Sequence, residues 1–297
     1  SLWAGPFGLR INGSGAVHVF FVLSGYVLAL TLGRDDSPGR TIRFYVRRVF
    51  RVHPPYVVAV LLAWLVSQWA MPRGLADPPW VRVPARVLPV ALAFPSMAFG
   101  LLPVGWSLFV ELAQSAIFPL LFVLSRRLGV WFVLVVAVLL LNPLDDPRVH
   151  FLRFTLDFAL GLALAAWSAP MARALIRLPR ATPAVIGLAG VALLQLPFLL
   201  GLAGNRWVDL AQGHAPLVVA QFALGASCLV VAALHAPTLR RALGTPIALY
   251  FGRISYSLYL VHYTILMLFV LAAPGHSFSW PVALAVFVAT LAVSTVL

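Results

Sequence analysis

Long apolar runs recur along this chain, and most of its charge is gathered into the short connections between them. Inside a bilayer every backbone N–H and C=O must be satisfied within the protein, so runs of this length fold as helices that cross it. A transmembrane barrel would show short alternating segments instead. Composition points the same way. Hydrophobic residues make up 62% of the chain and charged residues 10%, against about 45–50% and about 25% in soluble domains. The expectation is an all-α, polytopic transmembrane helix bundle, with residues 1–297 forming a single membrane domain.

The runs lie at 15–32, 52–70, 105–124, 128–141, 151–167, 184–202, 216–234, 247–272 and 280–297. They predict nine spans. Residues 42–50 read as an interfacial helix ahead of the second span. Residues 87–99 are apolar but broken by Pro89 and Pro95, and read as a re-entrant or surface segment. The stretch from the fifth span to Pro183 reads as a loop rich in Pro and Arg. The chain begins with Ser1 and ends inside an apolar run, so both ends are expected to be cut.

The net charge of +13 is all arginine, since lysine is absent. In a soluble protein it would suggest nucleic acid. Here it sits in loops between apolar runs and reads as topology and contact with membrane lipid, with no nucleic-acid partner. Alternating the loops places Arg34, Arg40, Arg43, Arg47, Arg48, Arg51, Arg126, Arg127, Arg173, Arg177, Arg180, Arg240, Arg241 and Arg253 on one side, 14 of the 21 arginines. By the positive-inside rule that side is cytoplasmic. The amino end then lies outside, which predicts a lost upstream span. The expected location is multi-pass in the cytoplasmic membrane of a bacterium. Cys228 is the sole cysteine, which excludes disulfides within the chain; no Cys/His cluster has metal-ligand spacing, so no metal is expected.

Glu111 is the only glutamate, and it stands inside the apolar stretch GWSLFVELAQSAIFP. An acid at the centre of a membrane helix costs roughly 2.5–3.5 kcal/mol on insertion scales. Two readings stand: a structural partner for an arginine, or a charged group in a buried site. His262 lies mid-span in ISYSLYLVH, and His18 lies near the outer end of its span. Both are open to a functional or a hydrogen-bonding reading. Asp157 follows Arg153 by four residues, which reads as a helical ion pair. Gly25 suits close helix packing. Arg48 and Arg51, three apart, share a helix face. They suit either lipid anchoring or a bidentate grip on phosphate.

Five stretches in this order resemble the acyltransferase-3 family of integral membrane acyltransferases: GAVHVFFVLSGYVLA, FYVRRVFRVHPPY, GWSLFVELAQSAIFP, RFTLDFALGLALA and ISYSLYLVH. The resemblance implies transfer of an acyl group, typically acetyl, from acyl-CoA to a hydroxyl of a carbohydrate or glycosylated acceptor. Acyl-CoA is then a co-substrate, and no bound cofactor is expected. It implies acyl-CoA binding by Arg48 and Arg51, with Arg47 beside them, and catalytic roles for Glu111, His18 and His262. A histidine would act as general base or transient acyl carrier, with Glu111 orienting it or the acceptor. Ser24, Gly25, Trp106 and Ser107 match signature positions. His18 stands where the family commonly has aspartate. The family's first helix, with its catalytic histidine, is expected upstream of Ser1. The rival readings are a transporter or flippase, since buried acids and histidines also relay protons, and a membrane scaffold.

Overall fold

The computed structural model describes residues 13–35, 37–70, 88–93, 101–129, 131–141, 150–202, 216–272 and 280–296. The segments read as connections at 1–12, 71–87, 142–149 and 273–279 lie outside the described residues. Among those described, all regular structure is helical. The helices are α1 (Gly13–Gly33), α2 (Arg40–Ala70), α3 (Leu88–Ala93), α4 (Gly105–Leu128), α5 (Trp131–Leu141), a 3₁₀ turn at His150–Phe154, α6 (Thr155–Ala166), α7 (Ser168–Ile176), α8 (Thr182–Leu202), α9 (Pro216–His235), α10 (Pro237–Leu243), α11 (Pro246–Ala272) and α12 (Trp280–Val296).

Five helices, α1, α2, α4, α9 and α11, are individually long and apolar enough to cross a membrane. A sixth span arises if α6, with the turn before it, and α7 count as one, bent by 66°. The expected nine is therefore not reached by length and composition among the described residues. The expected interfacial helix and second span are one continuous 31-residue helix, α2. The loop expected after the fifth span contains α7. Its Pro170 falls in the first turn, where the missing N–H would have no intrahelical partner anyway. Between α4 and α5 the break comes from Gly129, which takes φ +56° and caps α4 by donating to Ser125 O at 2.9 Å. Residues with a side chain enter that region only at a cost.

The chain divides into two compact units. The first comprises Ser1–Phe44 and Val110–Gly244, the second Tyr45–Phe109 and Thr245–Leu297. In the first unit α1 packs on α6 through small residues. A Cβ on Gly25 would fall on the Phe158 backbone, 2.8 Å from its Cα. A Cβ on Gly161 would meet Val22 O and lie 2.7 Å from Tyr26 N. In a bilayer apolar burial adds little drive, so such backbone approach and the van der Waals contact it permits hold helices together. Phe21 stacks edge-on to Phe154 and packs on Phe158, and Phe158 meets Phe118 of α4, with Phe44 against Phe118.

These pairs also fix direction. His18, Phe21 and Gly25 of α1 meet, in order, Asp157, Phe154 with Phe158, and Phe158. Gln114 of α4 meets residues 151 and 155, while Phe118 meets Phe158. Contact positions rise together, so α1, α4 and α6 run parallel. Helix α9 joins them in the same sense, with Phe222 against His18 and Ala226 and Val230 in one cluster with Val22. Helix α8 runs antiparallel to α9: Gly187 faces Ala232, and Gly190 faces Gly225. Pro197 in α8 lacks the N–H that would bond Leu193 O, and Gln221 Nε2 of α9 donates to that carbonyl at 2.8 Å.

In the second unit α11 packs on α12. Tyr56 on α2 donates its hydroxyl to Ala91 O in α3, and both residues are fully buried. Pro54 and Pro55 lie inside α2 and remove the N–H groups that would bond Phe50 O and Arg51 O. One residue on, Val52 O accepts the Tyr256 hydroxyl of α11 at 2.9 Å.

Candidate active site

The parallel register of α1, α4 and α6 gathers a buried polar layer near their amino-terminal ends. His18, Glu111, Gln114, Ser115, Arg153, Thr155 and Asp157 are all buried there. Glu111, Gln114 and Ser115 sit at i, i+3 and i+4 on α4 and therefore share one face. Phe118, a turn further on, continues that face into the aromatic core. Gln114 Nε2 donates to Phe151 O at 3.0 Å and Thr155 Oγ1 at 2.9 Å, which ties α4 to the start of α6. Ser115 Oγ donates to Glu111 O at 2.7 Å.

His18 and Asp157 form the centre of this layer. Nδ1 of His18 lies 2.8 Å from Oδ1 of Asp157, and Asp157 is fully buried. The imidazole packs against Phe154 and Phe222, with centroid distances of 5.5 and 5.2 Å. Asp157 is in the first turn of α6, where the helix dipole favours a carboxylate. The sequence reading gave Asp157 to Arg153 four residues earlier; the fold brings it His18 from a helix 139 residues away. Sequence spacing could not show that pairing.

The second unit holds a separate polar set. Ser107 Oγ donates to Tyr259 Oη at 2.8 Å, and Tyr259 Oη donates to Val104 O at 3.3 Å. The serine of the signature thus binds α11 to the start of α4. Trp106 beside it is partly exposed. His262 Nδ1 lies 2.6 Å from Tyr259 O. A carbonyl only accepts, so Nδ1 is the donor in this contact. Arg47 and Arg51 are exposed on α2 and Arg48 is half-buried. Of the residues singled out in the sequence, His18, Ser24, Gly25 and Glu111 belong to the first unit, with Ser24 half-buried. Trp106, Ser107, His262 and the three arginines belong to the second. Gln114, Thr155 and Tyr259 were not singled out individually. The signals for them were present: Gln114 is one turn past Glu111, and Tyr259 is one turn before His262.

Apolar helices long enough to cross a bilayer, with acid, imidazole and amide groups buried among them, define a polytopic helical membrane protein. The chain belongs to the acyltransferase-3 family, whose acyltransferase domain model matches residues 1–297. It is therefore an acyl-transferring enzyme of the membrane. It is similar to the acyltransferase MdmB of Streptomyces mycarofaciens, with 26% identity over 281 residues, covering 86% of this chain and 68% of that protein. No solved structure matches the chain at a significant level.

Proposed function

We propose that this enzyme moves an acetyl group from acetyl-CoA to a hydroxyl of a carbohydrate or glycosylated acceptor, in the cytoplasmic membrane of a bacterium. The family match over residues 1–297 carries the reading, and it favours an enzyme over the transporter weighed from the sequence. The buried layer around His18 and Glu111 supplies acid and base in a site where water is scarce, as acyl transfer needs. Arg47, Arg48 and Arg51 cluster on the amino-terminal half of α2, a placement suited to CoA phosphates.

The test uses the complete protein in lipid nanodiscs with labelled acetyl-CoA and a panel of glycosides. Label is expected on a glycoside hydroxyl. Arg51→Lys keeps the charge but loses the planar fork, so the KM for acetyl-CoA is expected to rise about tenfold. An unchanged KM would assign these arginines to lipid anchoring.

A further inference from the structure

Asp157 has no role in the reading above, yet it is the most deeply buried acid among the described residues. One of its oxygens meets His18 Nδ1 at 2.8 Å, and the other, Oδ2, has no hydrogen-bond partner among the described residues. No described residue hydrogen-bonds His18 Nε2. One to two turns past the pair, Gly25 and Gly161 let α1 and α6 approach backbone to backbone. Phe154 and Phe222 both pack against the imidazole, with rings tilted by 45° and 38° to it. A buried ring packed by two aromatics, with one nitrogen on a carboxylate and the other without a hydrogen bond among the described residues, has the geometry of an oriented general base.

We propose that Asp157 is a positioning residue that acts through His18. It holds the tautomer with Nδ1–H donated to Oδ1, which leaves the lone pair on Nε2. This rests on the acyltransferase reading and adds the acid–base unit that would serve it. In the step, Nε2 takes the proton of the acceptor hydroxyl as that oxygen bonds the thioester carbonyl carbon. The carbon–sulfur bond then breaks, and the thiolate leaves with the proton held on Nε2. Products are an ester and a free thiol, and the imidazole returns neutral.

The pair could instead be only a polar clasp between α1 and α6, and the experiment separates the two. The complete protein is labelled with ¹⁵N-histidine in nanodiscs, and His18 is assigned by difference against His18→Gln. The expected spectrum shows a protonated Nδ1 and a pyridine-type Nε2 at His18. Asp157→Asn, which keeps shape and packing, is expected to shift His18 toward the Nε2–H form. With acetyl-CoA and a reactive glycoside from the panel, its kcat should fall on the order of 10²-fold or more, with KM and melting temperature nearly unchanged. The His18→Gln, Asp157→Asn double variant should be no slower than His18→Gln alone. A wild-type His18 protonated at Nε2 overturns the proposal. So does Asp157→Asn with kcat within threefold of wild type, or a variant whose loss is in melting temperature alone. If the wild-type protein acetylates no glycoside, the acceptor reading fails, while the tautomer spectrum still decides what Asp157 does to His18.

Discussion

Glu111 shows how much one residue constrains. Its burial agrees with the expectation that an acid in an apolar helix turns away from lipid. Replacing it with Gln keeps the shape and removes the charge. If Glu111 serves the reaction electrostatically, Glu111→Gln inserts and melts as wild type does but loses activity on the order of 10²-fold. If it only neutralises an arginine, melting temperature falls first, because a buried charge is left uncompensated. Yield, melting temperature and acetyl transfer on the complete protein decide between them. Asp35, in the turn before α2, gives a pH test. The Arg43 guanidinium, followed by the Ser37 hydroxyl, holds its carboxyl well below the usual carboxylate range. A depressed folded pKa stabilises fully above the unfolded value of about 3.9 and is lost only as pH falls through the folded one. Asp35→Asn should therefore lower the melting temperature equally at pH 5 and pH 8. A markedly different effect at the two would refute the assignment.

At the scale of elements, prolines inside helices leave carbonyls that neighbours must satisfy. Pro197 orphans Leu193 O, and Gln221 answers it from α9. Gln221→Leu should destabilise by about 1–2 kcal/mol, as measured for hydrogen bonds between membrane helices in model peptides. In a Pro197→Ala background, with the helix's own N–H restored, the same change should cost much less. Equal costs in both backgrounds, by melting temperature in detergent, would mean Gln221 acts through packing. The proline was visible in the sequence. Its partner was not, because which residue of α9 faces position 193 depends on the antiparallel register set by Gly190 and Gly225.

For the whole molecule, topology is the testable property. In the first unit α1, α4, α6 and α9 run parallel, so their carboxyl-terminal ends point the same way. At and beyond those ends lie Arg34, Arg40, Arg43, Arg126, Arg127, Arg173, Arg177, Arg180, Arg240 and Arg241. The loop tally from the sequence grouped these residues on one side, and the parallel helices place them at one end; the positive-inside rule then predicts that this end faces the cytoplasm. With Cys228 replaced by Ser, single cysteines at Ser37 and Ala181 should resist an impermeant thiol reagent on intact cells and react in inverted vesicles. Labelling from outside would reverse the orientation.

The sequence by itself determined the class of fold. Apolar runs bounded by arginine demand helices in a bilayer, since no other open backbone is satisfied there. It also marked Glu111 and Gly25, because a charge or a missing side chain in an apolar run has few uses. It placed the cores of the five long helices α1, α2, α4, α9 and α11 but counted nine spans, divided α2 in two and read α7 as loop, since helix continuity through polar residues leaves no hydropathy signal. Only the tertiary structure decided who meets whom. Asp157 had a plausible partner one helical turn away, and the fold gave it His18. That choice depends on the parallel register of α1 and α6, which two glycines make possible by letting the backbones touch. Register between helices is a property of surfaces in contact, and no local pattern along the chain encodes it.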